Sequence, residues 1–295
     1  MKSKFEQGLR ILKSSYNPAN IVKSHPLSSL AQELIIRGLS KRTIKLYLSY
    51  NMQFLQYLGK SAKEVTSQDI KDYLLYLKFK NYSNTSLNLV ISALKFYYTQ
   101  VLKRKLFFNI SRPKREKYLP NILSKSEIIS LINLTGNLKH KLILSLMYGS
   151  GLRVSEVVKL KLRHFDLINR EVLVKAGKGN KDRYTILSNY SINLFKKYIE
   201  ILPNNQIYLF TGLKLNSHLS QRSAQKIFVQ ALNKAHIVKK VSCHSLRHSF
   251  ATHLLESGVE MRLIQKLLGH TNIKTTQTYV RVAKSYLNSI KSPLD

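Results

Sequence analysis

Six residues in the C-terminal half of the chain have the side-chain types that a metal-free phosphoryl transfer requires. Such a reaction needs a nucleophile, cations for the charge that develops on the non-bridging oxygens, and groups that accept and supply protons. Arginine suits the cationic task because its planar fork donates two hydrogen bonds to one phosphate. Histidine and lysine suit proton transfer, and a tyrosine hydroxyl can be the nucleophile. The candidates are Arg153, Lys178, His244, Arg247, His270 and Tyr279.

The local sequence gives most of these candidates a defined position. Arg153 follows an apolar helix in the segment GSGLRVSE. Lys178 lies in the glycine-flanked turn of a predicted β-hairpin, where a flexible stem can reach into a groove. His244 and Arg247 are three residues apart and therefore share one helical face. His270 directly follows a glycine at a helix end, where we expect its imidazole to be exposed.

Each of these residues is weak evidence by itself. The chain has 17 tyrosines, and most tyrosines in proteins serve packing. An isolated histidine is usually a surface or core residue, and we assign His248 and His253 to that class. Glu156 has two open interpretations: it orients Arg153, or it is an exposed carboxylate at a helix start.

The first third of the chain has the apolar periodicity of helices. Ser40, Thr66 and Ser83 each precede such a segment and are expected N-caps. A further helix is expected around residues 27–36. Together these elements predict a helical bundle over residues 26–108, preceded by a basic tail over residues 1–25.

A second domain is expected over residues 123–295, after a linker at residues 109–122. The linker contains two prolines and several basic side chains, so regular helix is excluded there. It either follows a phosphate backbone or is simply solvated. The spacing of Ser124 and Glu127 predicts a helix start with a capping box.

This second domain is predicted to be mainly helical with one β-hairpin. The strands are expected at residues 171–176 and 182–187, because glycines flank the tight turn between them. Later helices are expected near 190–201, 220–235, 244–257 and 260–268. The predicted fold class is therefore mainly α with a small antiparallel β-sheet (α+β), in two domains.

The net charge of the chain points to a polyanionic partner. Forty-nine lysines and arginines against 15 acidic residues give +34, a charge that nucleic acid neutralises well. An anionic membrane surface, or a host lineage with lysine-rich proteins, also fits this charge. The single cysteine, Cys243, excludes an internal disulfide. No apolar run reaches the roughly 20 residues of a membrane span, and the N-terminus lacks a signal-peptide core, so we expect a cytoplasmic protein.

Taken together, five motifs in this order resemble the tyrosine recombinase (phage integrase) family. They are GLRVSE, GKGNKDR, HSLRHSFATHLL, LLGH and TYV. The resemblance covers about residues 27–285 and is strongest to the Xer-type members. It implies a C-shaped, two-domain clamp around duplex DNA, with a helical core-binding (SAM-like) domain followed by a catalytic domain.

The resemblance also implies which residues hold the phosphate. Arg153 and Arg247 match the two family arginines that clamp the scissile phosphate. His270 matches the His/Trp position that hydrogen-bonds the same group. No matched position departs from the family pattern, so an inactivated relative is not expected.

The remaining matched residues would make and break bonds. Tyr279 matches the nucleophile that forms a 3′-phosphotyrosine, His244 the residue that accepts its proton, and Lys178 the acid that protonates the 5′-hydroxyl. The phosphotyrosine keeps roughly the energy of the broken bond, so no ATP is needed. No cofactor or metal is implied, and the carboxylates show no pattern typical of a two-metal nuclease.

The C-terminal tail and the partners follow from the same resemblance. An apolar stripe in residues 282–295 either docks on a neighbouring protomer, as family tails do, or packs on its own domain. The implied partners are duplex DNA with inverted-repeat half-sites and a homotetramer, or a heterotetramer with a paralogue. An activating DNA translocase is a further implied partner.

Several functions remain compatible with the sequence. Within the family, Xer-type chromosome-dimer resolution is favoured over integration of a mobile element. A type IB topoisomerase-like relaxer shares the phosphotyrosine chemistry. A DNA- or RNA-binding protein without catalysis fits the charge, but binding alone has no use for the six candidates. An RNA-modifying or ribosome-associated protein is the remaining alternative.

Overall fold

The computed structural model describes five stretches of the chain. They are residues 27–114, 121–175, 182–203, 206–212 and 216–270. The chain divides into two compact units, Met1–Lys117 and Tyr118–Asp295. Two candidate residues, Lys178 and Tyr279, lie outside the described residues. The basic tail at residues 1–25, the turn of the hairpin and the C-terminal tail lie outside them as well.

The first unit is a bundle of four helices, as predicted. Its helices are α1 (Ser28–Ile36), α2 (Lys41–Leu58), α3 (Ser67–Phe79) and α4 (Asn84–Lys95), and α4 continues into a π-helical turn at Phe96–Val101. The side chains of Ser40, Thr66 and Ser83 each accept a hydrogen bond from the backbone N–H three residues later. The three predicted helix starts are therefore confirmed.

Residues 111–114, at the start of the predicted linker, are held along α4. The Asn88 side-chain amide donates to the carbonyl of Pro113 at 2.9 Å, and that of Asn84 donates to the carbonyl of Lys114 at 3.0 Å. These bonds satisfy backbone acceptors of a segment in which Pro113 disfavours regular helix. The described part of the segment therefore has fixed partners in the first unit.

The second unit is mainly helical. Its helices are α5 (Lys125–Asn133), α6 (Leu138–Gly149), α7 (Val154–Val157), α8 (Asn189–Glu200), α9 (Gln221–Lys234), α10 (Cys243–Glu256) and α11 (Met261–Leu268). The predicted capping box of Ser124 and Glu127 begins α5. Helix α6 is buried along Leu142–Met147 and contacts α8, α9 and α10. It therefore forms the centre of this unit. Within the described ranges, no helix is both long and apolar enough to cross a bilayer.

The sheet of the second unit has three antiparallel strands in the order β1–β2–β3. They are β1 (Phe165–Asp166), β2 (Glu171–Val174) and β3 (Arg183–Ile186), and Val174 pairs with Arg183. The two predicted strands are confirmed, although each is shorter than expected. Strand β1 was not predicted, because two residues are too short to show a period of two. The fold class, mainly α with a small antiparallel sheet, is confirmed.

Candidate active site

Arg153 is the N-cap residue of α7 and is fixed by the carboxylate of Glu156. Its backbone N–H donates to Glu156 Oε2 at 2.9 Å, and its Nη1 donates to Oε1 at 2.7 Å. Gly151 has φ +60°, and its left-handed backbone leads the chain from α6 to Arg153. Among the described residues, Arg153 Nη2 has no hydrogen-bond acceptor. The guanidinium is thus held at one edge only.

Glu156 is a buried carboxylate in contact with three arginines. Arg183 binds it with two hydrogen bonds, Nη1 to Oε1 at 3.0 Å and Nη2 to Oε2 at 2.8 Å. Arg247 Nη1 lies 3.8 Å from Oε2. Burial by itself raises the pKa of Glu156, but the bonds and charges of Arg183 and Arg153 outweigh it and bring that pKa to about 2. The interpretation of Glu156 as an exposed carboxylate is wrong, because Glu156 is only 7% exposed.

Arg247 is an almost fully buried arginine on α10. Its Nη1 donates to the carbonyl of Gly151 at 2.7 Å, and its Nη2 donates to the carbonyl of Leu268. The first bond fixes the turn before Arg153, and the second fixes the end of α11 before His270. One guanidinium therefore ties together the two segments that carry the other phosphate-binding candidates.

His270 is half-buried, so the expectation of an exposed imidazole is wrong. The glycine before it ends α11 in the left-handed conformation, and His270 N–H then donates to the carbonyl of Gln265 at 3.1 Å. This turn places the ring against Arg247, whose Nη2 lies 3.1 Å from His270 Nε2. Because arginine can only donate, the neutral ring carries its proton on Nδ1. Burial, followed by the charges of three arginines, lowers the pKa of His270 to about 3.

His244 lies in the first turn of α10 on the same face as Arg247. Partial desolvation, followed by the charges of Arg247 and Arg153, lowers its pKa below the ordinary value. The ring is therefore neutral near pH 7 and can accept a proton. His248 contacts it edge-on with ring centroids 5.4 Å apart. His253 is buried and bonded to the Tyr148 hydroxyl at 2.9 Å, which confirms its packing role.

Arg183 is the residue of this cluster that the sequence did not reveal. Besides binding Glu156, its Nε donates to the carbonyl of Leu267 at 2.8 Å. Its side chain is 8% exposed, and it shares the inward face of β3 with the buried Thr185. A Cβ at Gly269 would lie 2.7 Å from Arg183 Cδ, so the close approach requires glycine there. The available signal was the period-two alternation of β3, which places Arg183 on the side of Thr185.

Four of the six candidates thus lie in one electrostatically coupled group. Arg153, His244, Arg247 and His270 come from separate segments, and the arginine charges act on both histidines. The described end of the hairpin, at Arg183, is bonded into the same group. Such a site presents guanidiniums and neutral imidazoles to an anion, which suits a phosphodiester.

Two family models match this chain and together cover most of it. The profile of the phage integrase family matches residues 121–285, and that of the phage integrase N-terminal SAM-like domain matches residues 27–107. The chain belongs to the phage integrase family. Several of its relatives are tyrosine recombinases of the Xer type. Tyrosine recombinase XerA of Pyrococcus horikoshii is 37% identical over 269 residues, covering 90% of this chain and 92% of the relative. Tyrosine recombinase XerD of Rickettsia conorii is 33% identical over 291 residues, covering 88% and 95%.

Solved structures of recombinases have the same fold as this family member. The crystal structure of XerA recombinase aligns with 31% identity and a TM-score of 0.54, over 92% of this chain and 96% of that one. XerH recombinase bound to a palindromic difH substrate, in a post-cleavage complex, aligns with a TM-score of 0.71 over 98% and 88%. At 23% identity, the XerH comparison concerns the fold alone.

Proposed function

We propose that this Xer-type site-specific tyrosine recombinase cuts and rejoins duplex DNA through a 3′-phosphotyrosine at Tyr279. The observation that carries the proposal is the placement of Arg153 and Arg247 on one buried carboxylate, with His244 and His270 in the same charge cluster. A protein that only bound DNA would gain nothing from this arrangement. Loose surface lysines supply non-specific affinity equally well.

The scissile phosphate would lie between the two arginines. Glu156 holds Arg153 at one edge and leaves Nη2 without an acceptor among the described residues, and this nitrogen can donate to a non-bridging oxygen. Neutral His270, with its proton on Nδ1, is a further donor. Because all these groups are anchored before substrate arrives, they stabilise the developing charge without reorganising.

We assign the proton transfers of the reaction to His244, Lys178 and Tyr279. A tyrosine hydroxyl ionises near pH 10, so neutral His244 would take its proton as the phenol oxygen attacks phosphorus. The bond from phosphorus to the 5′-oxygen breaks, and Lys178 protonates that oxygen. A 5′-hydroxyl from a partner strand then reverses the step. Bond energy is conserved throughout, so the reaction needs no ATP, and the arginines supply the positive charge that a metal ion would otherwise provide.

The cellular role that we propose is chromosome-dimer resolution. Recombinases named XerA and XerD are among the relatives, and a topoisomerase-like activity is not favoured by them. The proposed partners are duplex DNA with inverted-repeat half-sites, a tetramer of this chain or of this chain with a paralogue, and an activating DNA translocase. Residues 282–295 would dock on the neighbouring protomer. Sequencing DNA trapped covalently on the protein in cells tests this role, because dimer resolution predicts one chromosomal locus.

The cleavage chemistry is tested with a suicide substrate nicked beside the cleavage site. The nick lets the short 5′ product diffuse away, so the wild-type protein accumulates a covalent adduct. We expect Tyr279→Phe to bind the same duplex and form no adduct, in the presence or absence of a chelator. Equal adduct with Tyr279→Phe would show that another residue is the nucleophile. Loss of the wild-type adduct with chelator would contradict metal independence.

A further inference from the structure

A cavity of about 310 Å³ lies beside Glu156 and is lined mainly by basic side chains. Three parts of the chain line it: residues 159–164 after α7, Val174 and Lys175 at the end of β2, and Tyr208 with His218. Leu209 N–H donates to the carbonyl of Leu160 at 2.8 Å and ties two of these segments together. We call this space the basic cavity. Apart from Glu156, none of its lining residues is a candidate for the cleavage chemistry.

The charge of the basic cavity is strongly positive. Its cationic residues are Lys159, Lys161, Arg163 and Lys175. Among the described residues, none of the four forms an ion pair. The one carboxylate in the lining, Glu156, is already neutralised by Arg153 and Arg183. The charge of Asp182 also acts on the wall, at His164, but the four cations outnumber it and favour an anionic ligand.

His164 adds a buried donor to the wall of the basic cavity. Its residue is 7% exposed. Its Nδ1 lies 3.2 Å from the backbone N–H of Lys161, which can only donate, so the ring carries its proton on Nε2. Nε2 is buried and has no hydrogen-bond partner among the described residues. A buried N–H without an acceptor costs free energy, and a ligand oxygen would remove that cost.

Two aromatic side chains of the lining, Tyr208 and His218, have defined contacts. Lys161 Nζ lies 5.2 Å from the centroid of the Tyr208 ring, and Tyr208 meets the ring of His218 edge-on at 5.3 Å. His218 Nδ1 lies 2.8 Å from the carbonyl of Leu219, so it donates to that oxygen. Lys161, Tyr208 and His218 therefore have defined contacts in the cavity wall, whereas Lys159, Arg163 and Lys175 are exposed.

We propose that the basic cavity binds a backbone phosphate of the target duplex, in addition to the scissile phosphate. The chemistry fits a tetrahedral anion with several acceptor oxygens, received by lysine and arginine cations and by the His164 N–H. The choice of DNA as the source rests on the proposed function. A free phosphorylated small molecule has the same chemistry and is separated from DNA by the tests below.

The direct test observes His164 in the intact protein. Histidine ring signals are recorded by NMR at fixed ionic strength, and His164→Gln assigns the signal of His164. We expect the His164 signal to shift in a saturable way when inorganic phosphate replaces chloride, and to shift again when duplex replaces phosphate. A signal that responds to neither would overturn the proposal. A signal that responds to phosphate but not to bound duplex would overturn DNA as the source.

A second test measures the salt dependence of duplex binding. Lys161→Met with Arg163→Met should lower the magnitude of the slope of log Kd against log salt by about 1. The matched control is Lys196→Met with Lys197→Met, two exposed lysines of α8 outside the cavity, and we expect a smaller change from it. Equal slopes for the two double variants would count against a built phosphate site.

Failure of the wild type to bind any duplex would instead contradict the proposed function, and the phosphate titration would still decide whether the cavity is an anion site.

Discussion

Glu156 shows how one buried carboxylate organises several cations that a free chain would hold apart. Arg153, Arg183 and Arg247 all approach it within 4 Å. Three neighbouring guanidiniums repel one another, and burying a carboxylate removes it from water. Both costs are offset when the carboxylate and the guanidiniums pair with good geometry. The group keeps a net positive charge after this pairing. That surplus is what a phosphodiester would neutralise.

Removing the charge of Glu156 should therefore cost both stability and activity. We expect Glu156→Gln to lower the free energy of unfolding by about 3 kcal/mol, because three buried or half-buried guanidiniums lose their counterion. Adduct formation should fall by about a hundredfold or more as Arg153 loses its anchor. Urea unfolding and suicide-substrate trapping measure the two effects.

Glu127→Gln is the matched control for this variant. Glu127 also occupies the third position of a capping box and pairs with a lysine, Lys239, but that pair is partly exposed. We expect it to cost less than about 1 kcal/mol and to leave trapping unchanged. Equal effects from the two variants would show that Glu156 acts only as a helix cap.

The lowered pKa values of His248 and His270 predict a pH dependence of stability. They are about 4 and about 3 in the folded protein, against about 6.5 in an unfolded chain. The unfolded chain therefore binds more protons below pH 6.5. Stability is full above that pH and is lost as the pH falls towards 4 and then 3.

We expect the free energy of unfolding to fall by about 1–2 kcal/mol per pH unit between pH 6 and pH 4.5. Asp69 and Glu156, with pKa values of about 2, add to the loss only below about pH 4.5. Urea titrations at several pH values measure the slope. The double variant His248→Asn with His270→Asn should flatten it, and a wild-type stability that is constant over this window would contradict the assignment of neutral rings.

At the scale of elements, helix ends and turns deliver the side chains to the site. Arg153 stands at the N-cap of α7, and His270 follows the left-handed glycine that ends α11. Arg183 is the first residue of β3. Because residues at element ends have fixed backbones yet face outwards, they combine precision with access to a substrate.

Gly269 is an element end with a tight steric constraint in the site. It has φ +63°, and an added Cβ would meet Arg183. We expect Gly269→Ala to lower stability by more than the roughly 1–2 kcal/mol of left-handed strain alone. Trapping should also fall, because both Arg183 and His270 are displaced.

Gly59→Ala isolates the contribution of the backbone in this experiment. Gly59 ends α2 with φ +65°, and a Cβ there would meet nothing within 4 Å. Gly59→Ala should therefore lose only the stability that the left-handed backbone strain costs, and its trapping should be unchanged. Thermal unfolding and trapping of both variants make the comparison. If Gly269→Ala behaved like Gly59→Ala in both assays, the contact with Arg183 would contribute neither to stability nor to trapping.

The sequence predicted those elements whose signals are local. Serine and threonine caps and left-handed glycines depend on a few neighbouring residues, so the starts of α2, α3, α4 and α5 were predictable. Arg183 and the burial of Glu156 were not, because they depend on contacts between segments far apart in the chain. The exposure of His270 was wrongly predicted for the same reason, since Arg247 covers it from another helix.

At the scale of the whole molecule, charge and chemistry are separable. The net charge of +34 would provide many phosphate contacts on DNA, and the proposed cleavage site would contribute only a few of them. We expect Arg153→Ala to change the Kd for duplex by less than about threefold while adduct formation is lost. Gel-shift and trapping assays on one preparation measure both. Binding that falls in step with cleavage would indicate that Arg153 maintains the fold instead. Arg247 is less suitable for truncation, because its loss would leave the buried carbonyls of Gly151 and Leu268 unpaired.

The chemical identity of the protein–DNA bond tests the account most directly. Adduct trapped on a suicide substrate is digested with nuclease and protease, and the modified peptide is sequenced by mass spectrometry. We expect a nucleotide linked through its 3′-phosphate to Tyr279, and to no other of the 17 tyrosines. A nucleotide linked through a 5′-phosphate, or carried by a different residue, would contradict it.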